Sequence, residues 1–91
     1  MFNILKSSIS LGEYTLLQTS MNKVVIFKCF YKYTRCIYIN KVKDNFEVSV
    51  EKVFDNKYLY NNIERMFIDN KKFSDISSSV NYIQQNIKYW F

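Results

Sequence analysis

The clearest alternation of hydrophobic and polar positions lies in residues 46–54. Phe46, Val48 and Val50 are separated by polar residues, which is the period of two expected of a strand with one buried face. Two runs further upstream are rich in β-branched and aromatic residues, which also favours strands. The pattern therefore predicts an antiparallel meander of three or more strands, at about 24–31, 36–42 and 46–54.

The loop lengths decide which side chains share a face of this sheet, because a one-residue shift in register moves every side chain to the other face. A three-residue loop at 43–45 would place Val42 opposite Phe46, and we favour it over a two-residue loop because it pairs apolar with apolar. A four-residue loop at 32–35 would join the first two strands. These loops predict a first face, expected to be covered by helices, that carries Val25, Phe27, Cys29, Tyr31, Cys36, Tyr38, Val42, Phe46, Val48 and Val50.

The end of the chain has helical periodicity. A stripe of apolar residues spaced three and four apart predicts a helix at about 75–90, with Ser74 as its N-cap. A second, shorter run of apolar residues predicts a helix at about 57–69. The two stripes consist of Ile76, Val80, Ile83, Ile87 and Trp90, and of Leu59, Ile63, Met66 and Phe67.

The first twenty residues leave three alternatives open. They are a short helix up to Ser10, a strand pair folded at Gly12, or both in sequence, and we expect a strand at 14–19. A chain of 91 residues is long enough for one domain. Residues 1–91 are therefore predicted to form a single α+β domain, a meander packed by two C-terminal helices.

The composition argues against most catalytic chemistry. The chain has no His and one Gly, so neither a histidine base nor a glycine-rich phosphate loop can be assembled. Its two cysteines, Cys29 and Cys36, are too few ligands for a zinc site without His and are expected to be core residues. We therefore expect no enzyme activity, no catalytic residues, no metal and no cofactor.

The net charge of +5 is unevenly placed. Residues 1–43 contain seven cations and one acid, Glu13, whereas residues 44–91 contain six cations and seven acids. Such asymmetry indicates an anion-facing surface in the first half. The predicted second face lies there and mixes cations with apolar residues: Val24, Ile26, Lys28, Phe30, Lys32, Arg35, Ile37, Ile39, Lys41, Glu47 and Glu51.

Four interpretations of this second face are open. The N-terminal segment covers its middle while the lysines extend to the edges, a protein partner covers it, single-stranded nucleic acid binds to it, or a homodimer buries it. The candidate partner-binding residues are Lys28, Phe30, Lys32, Tyr33, Arg35 and Lys41.

The length, the composition typical of an A/T-rich genome and the meander-plus-helices pattern resemble the short orphan proteins of phages and mobile elements, anti-CRISPR inhibitors among them. This resemblance implies an inhibitor that binds a host protein or ribonucleoprotein complex; the alternative is a basic nucleic-acid-binding accessory protein. Since no export signal or apolar run of membrane-spanning length is visible, we expect a cytoplasmic protein without a membrane partner.

Overall fold

A computed structural model describes residues 1–56 and 62–90, which form an α+β arrangement. Five antiparallel strands follow one another in sequence order across a single sheet, so the topology is a meander. Neither described helix is long and apolar enough to span a membrane. In chain order the elements are α1 (Phe2–Ser8), β1 (Thr15–Ser20), β2 (Lys23–Phe30), β3 (Tyr33–Val42), β4 (Asn45–Asn56), β5 (Asn62–Phe73) and α2 (Ile76–Asn86).

The three predicted strands are confirmed as β2, β3 and β4, and the expected N-terminal strand is confirmed as β1. The N-terminal alternative with a helix before a strand is the one observed. The predicted helix at 57–69 is wrong where the structure describes it, because residues 62–69 belong to β5; residues 57–61 lie outside the described residues. Residues of β5 pair with β4 in an antiparallel ladder, which provides hydrogen-bond partners for the β5 backbone. This tertiary pairing outweighed the local pattern, because a short run of apolar residues fits either a helix or a strand. Only one of the two described helices is therefore C-terminal.

The hairpin loops are shorter than predicted. Two residues join β3 to β4, with Lys43 at φ 56°, and two residues join β2 to β3, with Lys32 at φ 75°. Two-residue hairpin turns commonly place one or both of their central residues at positive φ. As a result Val42 pairs with Asn45 instead of Phe46, and both favoured loops were wrong.

The β3–β4 register, shifted by one residue from the predicted one, moves the apolar residues of β4 to the other face and so inverts the predicted use of the two faces. Helices cover what was called the second face, where β2 and β3 place Val24, Ile26, Ile37 and Ile39, and the corrected register adds Val48 and Val50 to it. The interpretation in which the N-terminal segment covers the middle of that face is thus the one observed, with α2 covering it too. The buried cluster consists of Leu5, Ile9, Tyr14, Val24, Ile26, Ile37, Ile39, Val48, Val50, Val80, Ile83, Ile87 and Trp90.

The stripe of α2 is confirmed, since its central residue Ile83 has no exposed surface and Trp90 is buried beyond the helix end. The cap is one residue later than predicted. Asp75, not Ser74, is the N-cap, and its Oδ1 accepts a hydrogen bond from the backbone N of Ser78 at 2.7 Å. This bond satisfies a helix-terminal N–H that has no partner inside the helix.

Candidate functional site

A row of three cations crosses the helix-covered face next to the apolar core. The register pairs Lys28 of β2 with Arg35 of β3, and Arg35 with Lys52 of β4. Like charges placed directly opposite one another on a sheet are destabilising. A row of this kind is therefore not what stability alone would favour.

The next row along the same strands is aromatic. Phe30 pairs with Tyr33 and Tyr33 with Phe54. The Phe30 and Tyr33 rings are stacked, with centroids 4.9 Å apart and planes 11° from parallel, and the Phe54 ring lies 5.8 Å from Tyr33. We call the two rows together the cationic aromatic cluster: Lys28, Phe30, Tyr33, Arg35, Lys52 and Phe54.

Cation–π contacts join the two rows. The Lys28 Nζ lies 4.9 Å from the Phe30 ring centroid, and the Lys52 Nζ lies 4.9 Å from that of Tyr33. The Arg35 guanidinium lies 6.0 Å from the same Tyr33 ring. These distances are within the range in which a cation is attracted to a ring face. The contacts hold the positive charges at this end of the sheet without neutralising them.

Arg35 is the most unusual residue of the cluster. It is only 1% exposed, and its Nε and Nη2 atoms have no hydrogen-bond partner among the described residues. A buried charged donor without a partner costs free energy. Arg35 therefore contributes a buried positive charge next to the Tyr33 ring. The other residues around it are partly exposed, namely Lys28, Phe30, Tyr33 and Lys52.

Tyr14 lies on the core side of the cluster. Its ring centroid is 6.0 Å from the Lys28 Nζ, and its hydroxyl is buried without a hydrogen-bond partner in the described part of the chain. Burial raises the pKa of the Tyr14 hydroxyl, and the positive charges of Arg35 and Lys28 counteract that rise. The hydroxyl thus remains a protonated donor at neutral pH.

Among the described side chains, Glu13 forms an ion pair with this cationic group. The Glu13 carboxylate lies 2.9 Å from the Lys28 Nζ and is 82% exposed. Its hydrogen bond to Lys28, and then the charge of Lys28, lower the pKa of Glu13. The pair flanks a surface depression of about 280 Å³, which is lined by Ser10, Leu11, Gly12, Glu13, Tyr14, Lys28, Gln84, Ile87 and Lys88.

The structure brings together four of the six predicted partner-binding residues: Lys28, Phe30, Tyr33 and Arg35. Lys32 lies at the adjacent tip of the β2–β3 turn and is exposed, with its Nζ 5.4 Å from the Tyr31 ring. Lys41 is on the same face but at the other end, six residues along β3 from Arg35, or about 20 Å at the rise of a strand. Lys41 therefore belongs to a different part of the surface.

Sequence reasoning missed Lys52, Phe54 and Tyr14. A two-residue loop at Lys43 and Asp44 would have placed Lys52 opposite Arg35 and Phe54 opposite Tyr33. The available signal was thus loop length alone. Nothing in the local pattern around Tyr14 indicates that it reaches the cluster.

No described helix packs on the opposite face of the sheet, which we call the helix-free face. Its centre carries Tyr38 and a Glu51–Arg65 ion pair, and burial and hydrogen bonding to Glu51 raise the pKa of Tyr38. Leu17 and Phe67 lie on the same face and are 51% and 67% exposed. This face thus combines a polar centre with exposed apolar side chains.

The two cysteines share this face, as predicted. Both are free thiols, but only Cys36 is buried; the expectation that Cys29 is a core residue was wrong, because Cys29 is exposed near the end of β2 on the face that no described helix covers. Among residues 1–56 and 62–90, no group of three His, Cys, Asp or Glu side chains could hold a metal ion.

No protein-family model, curated protein or solved structure matches the chain.

Proposed function

We propose that the protein is a non-enzymatic binding protein that contacts nucleic acid, bare or held in a ribonucleoprotein complex, through the cationic aromatic cluster. The observation that carries this proposal is the juxtaposition of a stacked ring pair with two partly exposed lysines. Bases stack on aromatic rings without regard to sequence, and phosphates bind the flanking cations. The cluster offers both on one continuous strip of sheet.

Two biological roles share this chemistry. An inhibitor of the anti-CRISPR type, the role that the resemblance implies, would contact nucleic acid or an acidic surface within a host ribonucleoprotein complex. A nucleic-acid-binding accessory protein would bind the bare strand. Salt dependence separates nucleic-acid binding from apolar protein contact, because each phosphate contact releases condensed counterions.

The test is the affinity for a fluorescent single-stranded oligonucleotide, measured by anisotropy at several salt concentrations. Lys28→Glu with Lys32→Glu removes two cations at the cluster and its adjacent turn. The matched control, Lys43→Glu with Lys72→Glu, changes the net charge equally but acts at the β3–β4 turn and on β5.

We expect the cluster variant to lose most of its affinity and to lower the log–log salt slope by about 1.4, two contacts at about 0.7 each for single strands. The control should retain nearly the wild-type slope. Equal losses in the two double variants would show that only net charge matters, and the cluster would then not be the site.

A second candidate function rests on the helix-free face. Leu17 and Phe67 are exposed on the two edge strands, β1 and β5, on either side of the polar centre, where a protein partner spanning this face would contact both. A pull-down with and without nuclease tests it. A protein that is captured after nuclease treatment, is lost with Phe67→Glu and is retained by the cluster double variant would favour this face over the cluster.

A further inference from the structure

The two edges of the sheet are protected to different degrees. β5 forms one edge and has a bulge where it passes from Asp69 to Phe67 opposite β4. It also carries charged side chains, among them Arg65, Asp69, Lys71 and Lys72. β1 forms the other edge, none of its six residues is charged, and its pairing is regular up to Gln18. Charges and bulges keep an edge strand from pairing with another chain, so β5 is protected and β1 is open.

The hydrogen bonds of β2 determine which backbone groups of β1 face the open edge. Alternate residues of an antiparallel strand direct their N–H and C=O groups to opposite neighbours. The Asn22 carbonyl accepts a hydrogen bond from the Lys41 N at 2.8 Å, so the even-numbered residues that follow it in β2 face β3. The odd-numbered residues, Val25 among them, therefore face β1.

The backbone of β1 thus has groups to spare at its outer side. Leu17 is opposite Val25 and directs its backbone groups to β2, so the N–H and C=O of Leu16 and Gln18 point away from the sheet. No turn or loop in the described residues bonds to these groups, and no described strand lies beyond β1. The edge therefore presents two donors and two acceptors in a row.

We infer that two copies of the chain form a dimer by antiparallel pairing of β1 with β1, about a two-fold axis that passes beside Leu17 perpendicular to the sheet. Leu16 of each copy then lies opposite Gln18 of the other. Each of these two pairs exchanges two hydrogen bonds, which satisfies every outward-facing group. An axis beside Leu16 would instead need the N–H of Tyr14, which already bonds to the Leu11 carbonyl at 3.0 Å.

The side chains suit the same arrangement. Leu17 is 51% exposed in the single chain, and the axis places it against Leu17 of the other copy in the closely spaced type of cross-strand pair. Because β1 has no charged residue, the pairing sets no like charges opposite one another. The dimer leaves a protected β5 at both ends of one continuous sheet, so assembly closes at two copies.

This dimer is independent of nucleic-acid binding. It also differs from the homodimer considered from the sequence, which would bury the face that the helices cover. One short strand pair buries less surface than a standard interface, so we expect a weak dimer with a Kd on the order of 100 µM. Both cationic aromatic clusters lie on the same side of the joined sheet, because an axis perpendicular to the sheet does not exchange its faces.

Sedimentation velocity of nuclease-treated protein, from about 10 µM to about 1 mM, tests the inference. The test variant is Leu17→Lys, which sets two like charges against each other at the axis and changes an exposed side chain. The matched control is Phe67→Lys, because Phe67 is 67% exposed on the same face but belongs to β5. Leu17→Lys should raise the Kd at least about tenfold, and Phe67→Lys should leave it unchanged.

A cross-link tests the position of the axis. In a variant with Cys29 and Cys36 replaced by Ala, Leu17→Cys should form a disulfide between two copies in oxidised glutathione. Cα atoms of such a closely spaced pair are about 4.5 Å apart, which lies within the range that a disulfide spans. Phe67→Cys in the same background should remain uncross-linked.

Three outcomes would overturn the inference. One is a protein that stays monomeric up to about 1 mM or forms a dimer that survives Leu17→Lys. Another is loss of the dimer in Phe67→Lys, which would indicate that two helix-free faces pack together instead. The third is a monomer that captures a different protein through β1, in a way that Leu17→Lys abolishes, since the edge would then take a foreign strand.

Discussion

Replacing Arg35 with Met should stabilise the fold. The side chain is 1% exposed, and two of its N–H-bearing atoms lack partners among the described residues. Each such donor costs about 1–3 kcal/mol, and replacing buried charged groups with apolar residues of similar volume is often neutral or stabilising by about 1–4 kcal/mol. The substitution also removes the positive charge that lies between Lys28 and Lys52, and with it the repulsion between like charges on neighbouring strands. The lost contact with the Tyr33 ring offsets about 0.5–2 kcal/mol of this gain.

The net expectation for Arg35→Met is a gain of about 1–3 kcal/mol in the free energy of unfolding. For a domain of this length that corresponds to a rise in Tm of at least about 4 °C. Urea unfolding, followed by circular dichroism and by the fluorescence of Trp90, the only Trp of the chain, measures the change. Arg35→Ala is the control for volume, because it also removes the donors but leaves a cavity and should destabilise the protein.

Arg35→Met should at the same time weaken binding of the single-stranded oligonucleotide, so that stability and affinity change in opposite directions. Such a trade-off is expected where a site keeps an energetically costly group for binding. A loss of more than about 1 kcal/mol in Arg35→Met would refute the reasoning. It would mean that the guanidinium is satisfied in the folded chain and is not held for a ligand.

Three further predictions follow from single residues. Ile83→Ala should cost about 2–5 kcal/mol in urea unfolding, because Ile83 is fully buried, whereas exposed Tyr89→Ala should cost about 0.5 kcal/mol or less; similar losses would contradict the packing of α2. Iodoacetamide should alkylate exposed Cys29 before Cys36, because burial raises the pKa of the Cys36 thiol and lowers its thiolate fraction. Mass spectrometry gives the order, and replacing both cysteines with Ala should leave a folded protein. The pKa of Asp75 is lowered by its hydrogen bond from a backbone N–H, so its contribution to stability is present above the pKa of free Asp, about 3.9, and is lost as the pH falls through the folded value. Thermal melts of wild type and Asp75→Asn should therefore converge at acid pH, and a constant difference in Tm down to about pH 2 would contradict the role of the carboxylate.

The sequence alone determined those features that depend on residues close to one another along the chain. The alternation at 46–54 and the β-branched runs upstream predicted β2, β3 and β4, because a strand places alternate side chains on opposite faces. The stripe through Ile83 predicted α2 for the same kind of reason, since residues three and four apart share one side of a helix. The concentration of cations in residues 1–43 also indicated the half of the chain that supplies four of the six cluster residues.

The tertiary structure decided which residues meet across strands. Turns of two residues, with Lys32 and Lys43 at positive φ, set the register of β2, β3 and β4, and the β3–β4 register decided that Val48 and Val50 join the buried face. Neither φ value can be read from the sequence, because Lys is not a residue that favours this backbone region. β5 likewise formed only because β4 offered it a ladder of hydrogen bonds. The cationic aromatic cluster depends on these non-local pairings: Lys52 reaches Arg35 only through the β3–β4 register, and Tyr14 reaches Lys28 only once the chain before β1 has packed on the sheet.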